Sequence, residues 1–347
     1  MIDLRSDTKT RPSAEMRAAI AAAEVGDEQR REDPTVNELE RTAAELLGQE
    51  EAVYVPTATM ANEIALGVLG ERGDEVVAEE NSHIFVSELG GPAVHASLMT
   101  RPLSCPAGRF TPEQVREAFR AGDGTHTPRT RIVSVENTHN ASGGRVWQLD
   151  ELAAVVSTAR ELELRLHLDG ARLLNAAVAL GVPPAEIGRH FDTVTLCLSK
   201  GLGCPLGALV AGSPELMSKA RRLKHLFGGA MRQAGIVAAA GVYALEHNVD
   251  RLAEDHARAR RLAEGLYDAG VPVRLEQVET NFVQVDVGPL GLGPREALER
   301  LAQQGVGLSM TVHPTRLRAV THLDVDDEDI ERAVELIPRA LGALARA

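Results

Sequence analysis

The chain has little cysteine, only Cys105, Cys197 and Cys204 among 347 residues. Their spacing contains no C-x-x-C pair, and so small and odd a number excludes a disulfide framework. Reduced thiols are typical of a cytosolic protein, so we expect a cytoplasmic location. We also expect no signal peptide, because the first residues, M-I-D-L-R-S-D, are charged from the start.

Long apolar runs and a surplus of basic charge are absent as well. No run approaches the length of about 18 apolar residues that a membrane span requires. The net charge of -13 argues against nucleic acid or an anionic membrane as the main partner. Apolar residues make up 44% of the chain, which is ample for a folded core. The length suits one large domain and a smaller one.

Two β-type segments near the middle of the chain end in chemically active residues. Residues 164–169 alternate like a strand and end at Asp169, and residues 194–199 form a second strand that ends at Lys200. The segment 172–180 between them has helical spacing. Such a strand–helix–strand unit predicts parallel neighbours, and ligands bind beyond the carboxyl ends of parallel strands. We therefore expect Asp169 and Lys200 in one crevice.

Two interpretations of Lys200 are open. A lysine at a strand end is commonly an ordinary surface residue. Its amine can also form a Schiff base with a carbonyl cofactor such as pyridoxal phosphate (PLP). That chemistry needs an acid beside the pyridine nitrogen, and Asp169 is suited to this role. The pair favours PLP more than either residue does alone.

Two further features follow predicted strands. After the strand at 52–56, Thr57, Ala58 and Thr59 lead directly into an apolar helix. The free N–H groups and dipole of such a helix start favour an anion, although an ordinary threonine N-cap is the alternative. The turn lacks both G-x-x-x-x-G-K and G-x-G-x-x-G, which argues against a nucleotide. His83 also follows a predicted strand. It is either a structural residue or, in a PLP site, a ring that lies on the face of the cofactor.

The pattern divides the chain into regions. Residues 1–33 are polar with few strand signals, which is typical of a solvated arm. Beyond residue 249, short strands and helices alternate as in an α+β domain. We expect an α/β fold whose large domain has a mostly parallel seven-stranded sheet with helices on both faces. The predicted regions are an N-terminal arm and helix (1–30), the large PLP-binding domain (31–249) and a small C-terminal α+β domain (250–347).

Eight short motifs are distributed over almost the whole chain. In order they are M-I-D-L-R-S-D-T at the start, E-D-P-T from Glu32, N-S-H-I-F from Asn81, E-N-T-H-N-A-S-G-G-R from Glu136, H-L-D-G-A-R from His167, C-L-S-K-G from Cys197, M-R-Q-A-G from Met231 and R-A-V-T-H from Arg318. With these motifs the chain resembles the low-specificity L-threonine aldolase family of PLP-dependent enzymes. The resemblance implies the aspartate-aminotransferase-like fold, fold type I.

The resemblance also implies how the cofactor, pyridoxal 5′-phosphate, is bound. Lys200 matches the lysine that forms the Schiff base, Asp169 the acid on the pyridine nitrogen, and His83 the histidine that stacks on the ring. The residues that match the phosphate-binding turn are Thr57, Ala58 and Thr59.

Further residues match the family's substrate site. Ser6, Arg172 and Arg318 match the groups that bind the substrate carboxylate, and Arg172 also counts among the cofactor-binding residues. His126 matches a histidine near the substrate hydroxyl. Arg232 matches an arginine that reaches the phosphate of a neighbouring subunit, which implies a homo-oligomer, as a dimer or a homotetramer built from two dimers.

The chain departs from the family pattern at several positions. Ala58 and Ala61 replace glycines of the phosphate turn, and alanine does not tolerate positive φ. If those glycines served to reach positive φ, phosphate binding would weaken. Arg30 replaces a tyrosine, and Val86 and Ser87 replace aromatic positions after H-I-F. These changes predict a roomier side-chain pocket.

The resemblance implies cleavage of L-threonine or L-allo-threonine to glycine and acetaldehyde, with bulkier phenylserine-type substrates also possible. His83 or His126 would be the base for the hydroxyl proton. One alternative is another PLP reaction on the same scaffold, by a racemase, a β-eliminating lyase or an aminotransferase. A second is a metal hydrolase using His139, His167 and Asp169. A third is a binding protein without catalysis.

Overall fold

The computed structural model describes residues 1–122 and 124–343. Most strands are short runs of β-branched and other apolar residues, which suit a pleated, buried surface. Among the described residues the strands are, in chain order, β1 (Ile2–Asp3), β2 (Glu51–Val55), β3 (Glu75–Glu79), β4 (Met99–Leu103), β5 (Thr130–Glu136), β6 (Arg165–Gly170), β7 (Thr193–Cys197), β8 (Ala208–Gly212), β9 (Phe282–Asp286), β10 (Val306–Gly307), β11 (Ser309–Met310) and β12 (Arg316–Val320).

Seven strands form the central sheet, in the spatial order β2-β8-β7-β6-β5-β3-β4. The pairings from β4 to β7 are parallel, and β8 runs antiparallel to both of its neighbours. The loop 198–207 is too short for the crossover helix that a parallel connection from β7 to β8 would need. The predicted, mostly parallel seven-stranded sheet is confirmed.

The helices begin where the sequence offers capping side chains. Ser13, Asp33 and Thr57 each accept a hydrogen bond from a main-chain N–H in the first turn of the helix that follows. No helix in the described part of the chain is long and apolar enough to cross a membrane. The helices are α1 (Ala14–Ala21), α2 (Pro34–Leu47), α3 (Ala58–Leu69), α4 (His83–Val86), α5 (Gly91–Val94), α6 (Pro112–Ala118), α7 (Leu149–Glu161), α8 (Leu173–Leu180), α9 (Pro184–Gly188), α10 (Pro214–Leu226), α11 (Gly235–His247), α12 (Leu252–Asp268), α13 (Pro294–Gln303) and α14 (Asp327–Leu341).

Helices cover both faces of the central sheet because its strands are apolar on both sides. On β2, Ala52 and Tyr54 face a core shared with α2, α7, α8 and α11. Val53 and Val55 face the opposite core, which is shared with α3 and α10. Successive strand residues point to opposite faces, so a continuous apolar run requires cover on both.

A second core joins the two ends of the chain. β12 lies between β9 and β11 in an antiparallel sheet, against which α12, α13 and α14 bury their apolar faces. β1 pairs with β10 in parallel, and Ile2 and Leu4 are buried in this core. The expectation of a solvated arm is therefore wrong for the first residues, because pairing with a distant strand supplies the partner that local sequence does not show.

The division of the chain into domains remains a proposal. The two cores support a large domain at 31–249 and a small domain at 250–347. The segment 1–30 contributes to both, because β1 belongs to the small core while α1 packs against α11.

Candidate active site

The carboxyl ends of β6 and β7 carry Asp169 and Lys200, as predicted. The two strands are parallel neighbours. The positive charge of Lys200 acts to lower the pKa of both Asp7 and His83, as expected of an amine that lies near these two side chains. The hydroxyl of Thr10 donates to the main-chain oxygen of Lys200 at 2.8 Å and anchors the loop.

Both oxygens of the Asp169 carboxylate are held in place. Oδ2 accepts a hydrogen bond from the amide Nδ2 of Asn62 at 2.9 Å, and Oδ1 accepts one from the main-chain N–H of Ala171 at 3.1 Å. Asp169 is buried. A fixed carboxylate in a region of low dielectric is suited to hold a positively charged nitrogen.

His83 begins the short helix α4 beyond the end of β3. Its main-chain N–H donates to Oε2 of Glu136 at 2.7 Å, and its ring Nδ1 lies 2.7 Å from Oε1 of Glu88. Burial disfavours the charged ring, but Glu88 and Asp169 outweigh burial and raise the pKa of His83. The carboxylate of Glu88 can only accept, so Nδ1 carries the proton and Nε2 of the neutral ring is the free acceptor.

Asn62, on the first turns of α3, links the residues around Asp169 to those around His83. Its Nδ2 donates to Oε1 of Glu88 and to Oδ2 of Asp169, each at 2.9 Å. Its Oδ1 accepts from the hydroxyl of Thr195 at 2.9 Å, which fixes the orientation of the amide. One neutral side chain therefore sets the spacing of two buried carboxylates.

The surroundings of His139 and His167 do not support the metal-hydrolase alternative. His167 is buried, with Nδ1 2.9 Å from the hydroxyl of Thr193, and burial lowers its pKa to about 4. His139 lies instead against Glu79, at 3.0 Å. The ring of His83 and the carboxylates of Glu88 and Asp169 are close together, but the Asn62 amide already lies between those carboxylates.

Arg172 forms a buried ion pair that the sequence did not predict. Its Nε and Nη2 donate to the two carboxylate oxygens of Asp7, each at 2.6 Å. Burial alone would raise the pKa of Asp7, but Arg172 overcomes this and lowers it to about 2. Asp7 therefore occupies two of the three nitrogens of Arg172, and the role of Arg172 in binding the substrate carboxylate stays a prediction.

Arg318 lies beside this pair. Its guanidinium is 5.3 Å from the ring centre of Phe282, and that of Arg172 is 4.8 Å from the same ring. Its Nη1 donates to Oδ1 of Asn140 at 2.7 Å. Burial and the charge of Arg172 lower the pKa of Arg318 to about 10. Two cations thus face the single carboxylate of Asp7, and the surplus charge suits an incoming carboxylate.

The Asp7–Arg172 pair makes a testable contribution to stability. We expect Asp7→Asn to destabilise the fold by about 3–5 kcal/mol at neutral pH, because it leaves a buried guanidinium unpaired. Since the pKa of Asp7 is lowered on folding, its contribution is complete above pH 3.8 and is lost as the pH falls towards about 2. The free-energy difference between the proteins should shrink by about 1 kcal/mol between pH 6 and pH 3.

Urea unfolding at both pH values measures this difference. Asp3→Asn is a matched control, because Asp3 pairs with Arg5 near the surface, where a salt bridge contributes little. A difference for Asp7→Asn that stayed constant with pH would contradict the assignment.

The predicted phosphate turn begins α3. Thr57 is the N-cap, and its hydroxyl accepts from the N–H of Met60 at 3.2 Å. Ala58 and Thr59 open the helix, where the first N–H groups have no acceptor within the helix. Ala58 and Ala61 are absent from the described residues with positive φ. The turn therefore does not require positive φ at either alanine.

Two further residues of the predicted site are Ser6 and His126. Ser6 caps a helical turn at Asp7–Lys9, next to the pair with Arg172. His126 is exposed in the loop before β5, at the amino end of a strand whose carboxyl end adjoins the crevice. His126 therefore lies at the opposite end of β5 from the crevice, and its role near the substrate hydroxyl stays a prediction.

Three positions that depart from the family pattern are exposed: Arg30, Val86 and Ser87. Val86 ends α4 and Ser87 is its C-cap, so both follow His83 directly. Arg232 is 62% exposed and donates to Oδ2 of Asp27 at 2.9 Å. An exposed guanidinium held by one bond remains available to a second molecule.

The sequence did not single out four residues of the site: Asp7, Asn62, Glu88 and Asn140. A signal existed for Asn62, which is a polar residue in an otherwise mostly apolar helix. Asp7 lies within the first motif, but its partner is 165 positions away. Asn140 lies within the motif that starts at Glu136, but its partner Arg318 is 178 positions away. Glu88 carries no local signal, because its importance comes from the side chains it contacts.

Comparisons with known proteins agree with this geometry. A model of the β-eliminating lyase family matches residues 3–288. The chain is 42% identical over 332 residues to the low specificity L-threonine aldolase of Escherichia coli (strain K12), covering 95% of this chain and 96% of that protein. It is 40% identical over 335 residues to a probable low-specificity L-threonine aldolase 2 of Arabidopsis thaliana, covering 95% and 94%.

Solved structures share the fold. A Leishmania major threonine aldolase superposes with a TM-score of 0.84 at 20% identity, covering 98% of this chain and 99% of that one. A Sphingomonas wittichii serine palmitoyltransferase superposes with a TM-score of 0.75 at 17% identity, covering 97% and 86%. The predicted fold type I is confirmed. Together with the family match, the relatives show that the chain belongs to the low-specificity L-threonine aldolase family, within the β-eliminating lyases.

Proposed function

We propose that this protein binds pyridoxal 5′-phosphate at the carboxyl edge of its central sheet and cleaves β-hydroxy-α-amino acids into glycine and an aldehyde. L-Threonine and L-allo-threonine are the proposed substrates, and phenylserine-type amino acids are further candidates. The observation that carries the proposal is the placement of Lys200 and Asp169 at the ends of neighbouring parallel strands, in a chain whose relatives are threonine aldolases.

The residues at this edge fit the cofactor. Lys200 offers a primary amine for a carbonyl, and Asp169 offers a fixed carboxylate for a protonated ring nitrogen. The start of α3 at Thr57 offers main-chain N–H groups for a phosphate. His83 exposes 31% of its side chain, which leaves the ring accessible to a flat ligand. When bound, the cofactor supplies a ring that withdraws electrons from the substrate Cα.

The arginines bind and orient the substrate. Arg318 and the remaining nitrogen of Arg172 attract the carboxylate, while Asp7 fixes the direction of the Arg172 fork. The ring of Phe282 lies close to both guanidiniums. Holding the carboxylate restricts rotation of the amino acid, so that one bond of Cα is presented for cleavage.

His83 is the proposed base for the β-hydroxyl proton. Its Nδ1–H is fixed on Glu88, so Nε2 can accept the proton directly or through a water molecule. Because the pKa of His83 is raised, we expect kcat/KM to fall as the pH decreases through a value above the ordinary 6.5. His126 of a neighbouring copy is the second candidate.

We propose a homo-oligomer, a dimer or a tetramer of two dimers, in which Arg232 reaches the phosphate of the adjoining subunit. The exposure of Arg232 supports this arrangement. The free cysteines of the protein support a cytoplasmic location, since unpaired thiols are typical of reducing compartments. Light scattering of the purified protein measures the assembly, and Arg232→Ala should weaken cofactor retention.

The decisive experiment is product analysis. Purified protein with added PLP is incubated with L-threonine, L-phenylserine, L-alanine or L-serine, and aldehyde, glycine, pyruvate and D-amino acids are quantified. We expect glycine and aldehyde from the first two substrates. Pyruvate from serine, or D-alanine, without aldehyde would instead indicate elimination or racemisation.

A further inference from the structure

A second buried carboxyl group lies behind the His83–Glu88 pair. Glu63 is on α3, where it exposes only 3% of its surface, and Glu88 exposes 5%. The carboxyl groups of Glu63 and Glu88 are neighbours, and burial and the charge of Glu88 both raise the pKa of Glu63. A Cβ added at Gly91 would collide with the carboxyl group of Glu63, so the main chain at Gly91 packs directly against that carboxyl group.

The hydrogen bonds of this pair are incomplete when both groups are ionised. Among the residues that the structure describes, no donor reaches either oxygen of Glu63 or the Oε2 of Glu88. Two adjacent carboxylates without donors would be strongly unfavourable in a buried site. One proton between them removes a charge and provides the missing donor.

We propose that Glu63 is a positioning residue that keeps one proton at neutral pH, donates a hydrogen bond to Glu88, and thereby moderates the charge of the carboxylate that orients His83. This role goes beyond the family's cofactor and substrate contacts and rests on the proposed function only for its effect on catalysis. Burial and the charge of Glu88 raise the pKa of Glu63 to about 9, which agrees with a neutral acid.

The effect on His83 follows from what Glu88 accepts. Glu88 takes hydrogen bonds from Asn62 and His83, and a third from Glu63 spreads its negative charge further. Without the third donor, more of that charge acts on the imidazolium, and the pKa of His83 rises. The other charged groups that face His83 are Asp169 on β6, Lys200 after β7 and Glu136 on β5.

The test compares wild type, Glu63→Gln and Glu63→Leu. Glutamine keeps a donor towards Glu88, whereas leucine keeps the approximate volume and removes the donor. In protein without added cofactor, the titration of His83 is followed by NMR with labelled histidine, assigned by a His83→Asn variant. We expect Glu63→Gln to titrate like wild type, and Glu63→Leu to titrate higher by on the order of half to one pH unit.

Infrared spectroscopy supplies an independent readout. At pH 7 the wild type should show the carbonyl band of a buried protonated carboxyl group, which Glu63→Gln should lack. Absence of this band in wild type, or equal His83 titration in the glutamine and leucine variants, would overturn the proposal. Neither measurement needs aldolase activity, so failure of the proposed function would be recognised separately, by absence of aldehyde release from wild type.

If wild type is an active aldolase, the acid limb of its pH profile should follow the same order. The limb for Glu63→Gln should coincide with that of wild type, and the limb for Glu63→Leu should lie at higher pH. A purely structural role for Glu63 would lower activity or stability without moving the limb.

Discussion

Replacing Lys200 by Ala is expected to abolish covalent attachment of the cofactor and to lower aldehyde release by roughly 10⁴-fold or more. The residue follows β7 at the edge where Asp169 ends β6, so its amine is positioned for a carbonyl group in the crevice. Removing it takes away the nucleophile rather than a support, and the fold should be unaffected because Lys200 is only partly buried.

The measurement is the visible absorption of protein reconstituted with PLP, together with the rate of aldehyde release. Lys219→Ala is a matched control, since Lys219 lies on the surface of α10 and pairs with Glu215. It should retain both the absorption band and the activity. Cofactor that stays covalently bound to Lys200→Ala after borohydride reduction and dialysis would assign the attachment to another amine.

Replacing Arg318 by Gln should lower kcat/KM for L-threonine by about 30-fold to 1,000-fold, corresponding to about 2–4 kcal/mol for loss of a buried charged partner. Arg318 and Arg172 share the ring of Phe282 and face one carboxylate. Without Arg318, the charge of Asp7 balances that of Arg172, and no surplus remains to attract a substrate. Affinity for the product glycine should fall in parallel.

A second variant separates charge from geometry. Arg318→Lys keeps the charge but loses the planar fork, so we expect partial recovery. Both variants should retain the visible absorption of wild type, and the surface variant Arg300→Gln should retain full activity. A loss of cofactor absorption in Arg318→Gln would show that Arg318 supports the cofactor rather than the substrate carboxylate.

Local pattern was sufficient to predict much of the fold. Residues 164–169 alternate like a strand, residues 172–180 have helical spacing, and a second apolar strand follows. This pattern predicted one strand–helix–strand unit, which the structure contains. The short strands beyond residue 280 were predictable for the same reason. β4 was missed, because Met99–Leu103 contains a proline and alternates poorly, as an edge strand can.

The sequence by itself determined the chemistry that the crevice can hold: a lysine and an aspartate at adjoining strand ends, with arginines available for an anion. Only the tertiary structure decided which partners these residues have. It placed Asp7 on Arg172, Asn62 between Glu88 and Asp169, and the first strand beside β10. Periodicity reports which face of an element is buried, whereas the choice between ion-pair partners depends on distances between segments that only the folded chain brings together.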